Sequence, residues 1–259
     1  MRAQGTTTPW RRWLLPALLL AALVGAWQVA AASGALADLF DLESFLVPSP
    51  AEIGDSLWQN RSLLAENAWV TLREILLGLA CALAAGLAFA AVMYRWVTVR
   101  LATYPLIVAS QTIPIFVLAP ILVVWFGYGI GPKLAIVGLV CFFPITVSTL
   151  GGLGSADPEA IKLMRSLDAS PWQIFRRVEV PAALPSAFTG AKIAVVLAPI
   201  GALFGEWAGS SSGLGHLILL DNGQLEVARQ FATVVVLSAI ALALMGLLTL
   251  AERRVVTWR

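Results

Sequence analysis

The sequence predicts an all-α polytopic membrane protein with about six transmembrane helices and a two-helix loop on the cytoplasmic side, and three observations predict it. Hydrophobic residues make up 59% of the 259-residue chain and charged residues 12%, with a mean hydropathy of +0.84. Soluble domains run at roughly 45–50% apolar and about 25% charged. Six apolar runs follow one another at about Trp13–Ala32, Trp69–Val92, Leu101–Phe126, Leu134–Gly151, Ala187–Ala208 and Phe231–Leu250, near the ~20 residues a helix needs to cross ~30 Å of hydrocarbon. Between the fourth and fifth runs lies Asp157–Pro185, a polar and basic insert with two helix-start signals. One membrane domain over residues 1–259, with its loop at about 152–186, accounts for the length and leaves no room for a separate soluble enzyme.

The first run has Arg11 and Arg12 ahead of it and AAASGA at its end, like a secretory signal peptide. It exceeds the usual apolar region of such a peptide, and five further spans need a start that fixes topology, so it is read as an uncleaved span. Cys81 in the second run and Cys141 in the fourth read as small buried hydrophobes, since neither a CxxC pair nor a His/Cys cluster accompanies them. The third run is interrupted by Pro114 and Pro120, which remove backbone hydrogen bonds where no water replaces them. Two readings stay open there: a wet path with Gln111 and Thr112 touching solute, or kinks for packing. Trp125, Phe126 and Tyr128 read as an aromatic belt.

In the fifth run Pro199, Gly201, Gly205 and Gly209 make a small face with overlapping G-xxx-G spacings, fit equally for a dimer seam or a tight crossing within the chain. Glu206 beside it is an ionisable residue in a span and therefore a functional candidate, with a carboxylate reaching the interface beside Trp207 as the alternative. His216 and Ser210–Gly213 read as an outer loop without metal or nucleophile chemistry.

Charge sets the orientation. With the N-terminus inside, cytoplasmic segments collect Arg2, Arg11, Arg12, Arg95, Arg100, Lys162, Arg165, Arg176, Arg177, Lys192, Arg253, Arg254 and Arg259. Outer segments keep Arg61, Lys133 and Arg229, with Arg73 inside a span. The positive-inside rule then places both termini and the insert in the cytoplasm.

Within the insert, Asp157 is an N-cap followed by Pro158 at the first helical position, opening a helix to about Leu167. Ser170, Pro171 and Gln173 repeat the signal as a capping box, opening a second short helix to about Val178, where Pro181 is expected to end it. Trp172, Ile174, Phe175 and Val178 stand beside Arg176 and Arg177, a mixture suited to docking a protein and equally to resting on lipid headgroups.

The run Asp157–Ala194 resembles the cytoplasmic loop of binding-protein-dependent ABC importer permeases, patterned E-A-A, three residues, G, nine residues, I, one residue, L-P. Here Lys162-Leu163-Met164 holds the E-A-A place, Asp168 the glycine place, Val178 the isoleucine place and Val180-Pro181 the L-P place. Lys162 reverses the charge of the family's Glu, so a salt bridge from that position does not carry over. Asp168 replaces a glycine at a left-handed turn, which Asp tolerates with some strain.

LVPSP, QTIPIFVLAPILVVWFGYGIGPK and LAPIGALFGEWAGSSSGLG are similar to the nitrate, sulfonate, taurine and thiamine-precursor branch, the last stretch most to hydroxymethylpyrimidine permeases. The resemblance implies a homodimeric permease subunit in the bacterial cytoplasmic membrane, served by an external solute-binding protein and by ABC ATPase subunits. Those ATPases would hold ATP and magnesium, since this chain has no GxxxxGK[ST] loop and no cofactor or nucleic acid of its own.

It further implies that Asp157, Lys162, Arg165, Asp168, Ser170, Pro171, Trp172, Gln173, Phe175, Arg176, Arg177 and Pro181 couple to the ATPase. Gln111, Thr112, Pro114, Pro120, Pro199, Gly201, Gly205 and Glu206 are the candidates for the translocation path. Sulfonate, taurine, nitrate or riboflavin are the alternative solutes. An autonomous secondary transporter or channel is the rival class.

Overall fold

In hydrocarbon every backbone N–H and C=O must find a partner within the chain, and long apolar runs do so as helices. The computed structural model describes residues 11–258, so Arg2 and Arg259 of the orientation argument lie outside the described residues. Twelve α-helices are seen among them: α1 (Arg11–Ala32), α2 (Ala35–Phe40), α3 (Pro50–Gln59), α4 (Arg61–Arg95), α5 (Val97–Ser110), α6 (Ile115–Phe126), α7 (Ile130–Leu153), α8 (Pro158–Ser166), α9 (Pro171–Ile174), α10 (Val180–Gly209), α11 (Leu214–Gln224) and α12 (Val227–Val255).

Five helical stretches are each long and apolar enough to cross a membrane, and α5 with α6 makes a sixth if that bent pair is one span. The 35 residues of α4 extend over about 52 Å, well beyond a ~30 Å core, so its ends project past the apolar run read from the sequence.

Two expectations need correction. Of the two prolines expected to interrupt the third run, Pro114 does so and Pro120 does not: α5 and α6 are bent by 103° at one break. The break lies at Gln111–Pro114, where Pro114 holds an extended backbone (φ −63°, ψ 126°) and starts α6. The Ser110 and Thr112 hydroxyls donate to the carbonyls of Ile107 and Ala109 at 2.7 and 2.8 Å beside the break. Pro120 interrupts nothing; it sits inside α6.

The second correction concerns Pro181, which does not end a short helix. Pro171–Gly209 is one continuous 39-residue helical rod, passing from α9 through a π-helical turn at Phe175–Glu179 into α10. The Val180 N–H bonds the Phe175 carbonyl, five residues back, and this wider turn makes room for the pyrrolidine ring that would otherwise strike a carbonyl.

The described chain divides into two compact units. One comprises the described residues up to Leu64 together with Ile218–Val235. Within it, Ser49 and Glu52 form a capping box that starts α3, and the Gln28 side chain accepts from the Ala51 N–H at 2.9 Å. The buried Asp221 carboxylate pairs with Arg229 at 2.7 Å.

The other unit runs from Ala65 to Leu217 and from Val236 onward. Its core joins Ile75, Leu79 and Ala82 of α4, Val137, Cys141 and Ile145 of α7, and Ala194, Val195, Ala198 and Ala202 of α10. Ile240, Leu244 and Leu248 of α12 pack on it, and Lys192 of α10 pairs with Glu252 of α12. The α10 contribution is mostly alanine, because lipid is as apolar as leucine and helices associate by close packing. A Cβ on Gly190 would fall 2.5 Å from the Pro144 carbonyl oxygen, and one on Gly78 2.6 Å from the Val137 Cβ.

Candidate functional site

Local chemistry shapes the basic loop from its first residue. Asp157 accepts from the Glu159 N–H at 2.9 Å, and Pro158 begins α8. The helix ends in a Schellman motif: the Ala169 N–H bonds the Met164 carbonyl at 3.0 Å and the Asp168 N–H the Arg165 carbonyl at 3.1 Å. Asp168 has φ +56°, the left-handed conformation expected at the glycine place of the motif. Asp168→Gly should therefore stabilise the turn by up to about 1 kcal/mol, whereas Asp168→Val should cost about 1–2 kcal/mol. Hydrogen-exchange protection of the α8 amides reads both changes.

Ser170 then closes a capping box with Gln173, its N–H donating to the Gln173 side chain at 2.7 Å and its Oγ accepting from the Gln173 N–H at 3.3 Å. Trp172 stacks on Phe175 with ring centroids 5.6 Å apart. Ile174 is buried, whereas Arg165, Arg176 and Arg177 are exposed. Lys162 pairs with Glu159 at 2.8 Å, both in solvent, an arrangement that contributes little.

No residue of α8 is buried, and Leu163, Leu167 and Trp172 are 61%, 69% and 66% exposed. Leu163 and Leu167, four residues apart on one helix face, were not singled out as docking residues from the sequence. Their spacing in a polar helix was the available signal.

The bent α5–α6 pair brings Gln111, Thr112 and Pro114 to an exposed elbow, and Pro120 is exposed further along α6. Pro199, Gly201 and Gly205 are placed differently, buried along α10. Cβ atoms on Gly201 and Gly205 would lie 3.1 and 3.2 Å from the Cα atoms of Val137 and Lys133, so this small face is a crossing with α7 inside the chain.

At the end of α10 remote from the loop, polar side chains gather in the interior. Glu206 is 1% exposed and does not reach for the interface. Its carboxylate accepts from the Thr71 hydroxyl at 2.6 Å and from the N–H groups of Gly215 and His216 at 2.5 and 3.3 Å. It thereby satisfies free donors at the start of α11, with Asn67 accepting from the Gly213 N–H at 2.7 Å and Thr71 from the Leu214 N–H at 2.8 Å.

Lys133, assigned from sequence to an outer loop, is buried near the start of α7. Its ammonium donates to Glu74 at 2.6 Å and to Ser210 Oγ at 2.7 Å. Ser210–Gly213 is consequently a tied turn: Ser210 Oγ also donates to the Ser212 carbonyl at 2.5 Å. Gly213 (φ +109°) leaves no space for a side chain beside Glu206.

Helices long and apolar enough to cross a membrane, a locked interior and an exposed loop of mixed aromatic, aliphatic and cationic side chains describe a polytopic membrane protein. The family model for the binding-protein-dependent transport system inner membrane component matches residues 75–257, and the chain belongs to that family.

Similar proteins include a probable ABC transporter permease of Haemophilus influenzae, 36% identical over 90% of this chain and 93% of its own length. The formylaminopyrimidine transport permease ThiX of Halalkalibacterium halodurans is 37% identical over 95% of this chain and 96% of its own length. Relatives named for riboflavin, aliphatic sulfonates and taurine also match. In fold, a crystal structure of an amino acid ABC transporter with histidines superposes with a TM-score of 0.60 at 18% identity, covering 77% of this chain and 97% of that one. The chain is thus an integral inner-membrane permease subunit of an ABC importer and not itself an enzyme.

Proposed function

We propose that this permease carries a pyrimidine precursor of thiamine, hydroxymethylpyrimidine or the formylaminopyrimidine for which one relative is named. The chain acts as one membrane domain over residues 1–259 and pairs with a second copy within membrane lipid. Both termini and the loop face the cytoplasm, as the distribution of Lys and Arg favours. An external binding protein delivers the solute, and separate ATPase subunits hold ATP and magnesium.

The observation that carries the coupling role is the exposed Leu163, Leu167 and Trp172 on a doubly capped loop flanked by Arg165, Arg176 and Arg177. Apolar side chains of this size, projecting beyond the spans, suit a protein cleft. Closure of the ATPases would push on this loop and rock the spans, with the Gln111–Pro114 elbow and Pro120 beside the solute's route.

The deciding experiment is uptake of labelled hydroxymethylpyrimidine in cells with the chain present or deleted and its partners retained. Deletion should lower uptake to background, and expression of the chain should restore it. Uptake unchanged by deletion rejects this solute, after which riboflavin, taurine and sulfonates are assayed in the same cells.

A further inference from the structure

Where α4 leaves the membrane, a groove of about 940 Å³ opens between its end and the basic loop. Val92, Arg95 and Trp96 line it from the α4 side, and Arg165, Trp172 and Phe175 from the loop. We propose that this groove binds an anionic phospholipid, its phosphodiester held by the guanidinium groups of Arg95 and Arg165 and its upper acyl segments lying on the apolar wall.

Charge points to an anion. Among the described residues neither Arg95 nor Arg165 takes part in an ion pair. The only carboxylate in the lining, Glu179, already accepts the Tyr94 hydroxyl at 2.9 Å. Two uncommitted guanidiniums against one occupied carboxylate leave the groove net positive, and guanidinium forks match phosphodiester oxygens in pairs.

Position points to a lipid rather than to free phosphate. Arg95 is the last residue of a membrane-crossing helix, the level at which headgroups lie. Trp96 and Trp172, 54% and 66% exposed, are the residue type that settles at that level. Most of the wall is apolar, from Ala91, Val92, Ile174 and Phe175, which a small hydrated anion would not use. Basic pockets beside spans on the cytoplasmic side are where anionic headgroups lodge, and the volume suffices for a headgroup with the first methylenes of its chains. Leu163 and Leu167 do not line the groove, whereas Arg165, Trp172 and Phe175 serve both readings, so the lipid proposal is separated from the ATPase reading only by the test below.

The test is native mass spectrometry of the purified full chain in detergent, titrated with phosphatidylglycerol or with phosphatidylcholine of the same acyl composition. Phosphatidylglycerol should be retained preferentially. Arg95→Ala/Arg165→Ala should weaken its binding about thirtyfold, while Arg95→Lys/Arg165→Lys keeps the preference and shows that the fold is intact. Arg176→Ala/Arg177→Ala, which alters nearby exposed charge outside the lining, should change little.

Equal retention of the two lipids would overturn the proposal, as would equal losses in the two alanine pairs, which would mean bulk charge alone. Displacement by inorganic phosphate would reassign the groove to a free anion. Undiminished lipid binding in Arg95→Ala/Arg165→Ala, with ATPase recovery lost, would assign it to the ATPase.

Discussion

Lys133→Met should strip most of the protein from the membrane fraction, the largest stability effect expected of any single substitution here. The Lys133 and Glu74 side chains are 9% and 3% exposed, and the second Glu74 oxygen already lacks a partner. Removing the ammonium leaves a buried carboxylate without its contacting cation, Arg73 alone remaining as a more distant positive charge, at a cost of about 3–5 kcal/mol, against a net stability on the order of 5–15 kcal/mol.

The compensating double substitution distinguishes lost charge balance from lost packing. Glu74→Leu/Lys133→Met should recover most of the yield and thermal midpoint, measured by size-exclusion of the solubilised chain, because a matched apolar pair replaces a buried ion pair at little cost. A double variant as unstable as Lys133→Met alone would show that the pair holds the structure through the Ser210 hydrogen bond instead.

Leu163→Asp/Leu167→Asp should uncouple transport without unfolding the permease. Both side chains are mostly in water in the isolated chain, so the substitution leaves its stability nearly unchanged. At an ATPase interface each leucine would bury about 1.5–3 kcal/mol of apolar surface, and placing two carboxylates there should lower ATPase affinity on the order of a thousandfold. The ATPase should vanish from affinity-purified membranes while the permease remains at normal abundance. Full recovery of the ATPase would remove α8 from the docking surface.

Much of the fold was legible because the sequence patterns act locally. Asp157-Pro158 and Ser170-Pro171 start their helices as expected, since capping needs only neighbouring atoms. Asp168 adopts the left-handed turn for the same reason. The short helices α2, α3 and α11 were not expected, being too short or too weakly apolar to stand out from loops.

Pro181 misled because a proline's effect depends on the turn around it, which a π-helical widening absorbs, and Pro120 is carried within α6 without ending it. Glu206 illustrates a different limit. Its partners Thr71, Gly215 and His216 come from segments brought together only by packing, and no spacing rule reveals that a buried carboxylate holds the first turn of another helix. The small face of Gly201 and Gly205 was visible as such, but which surface it met was a tertiary question.

The unbroken helix from Pro171 to Gly209 has a mechanical consequence. A rod without a joint is a lever: from Trp172 to Glu206 it measures about 50 Å, and tilting it by about 5° about its loop end would sweep the far end through roughly 4–5 Å. That is comparable to the width of a small ring-shaped molecule. Because Glu206 is fastened to the backbone of Gly215 and His216, such a sweep cannot stay confined to the rod; it must either drag that backbone along or break the fastening. The π-helical turn at Phe175–Glu179 and the interior prolines Pro185 and Pro199 are the places along the rod where compliance could absorb the stroke before it arrives, so their stiffness would set how faithfully a thrust at one face of the bilayer becomes displacement at the other.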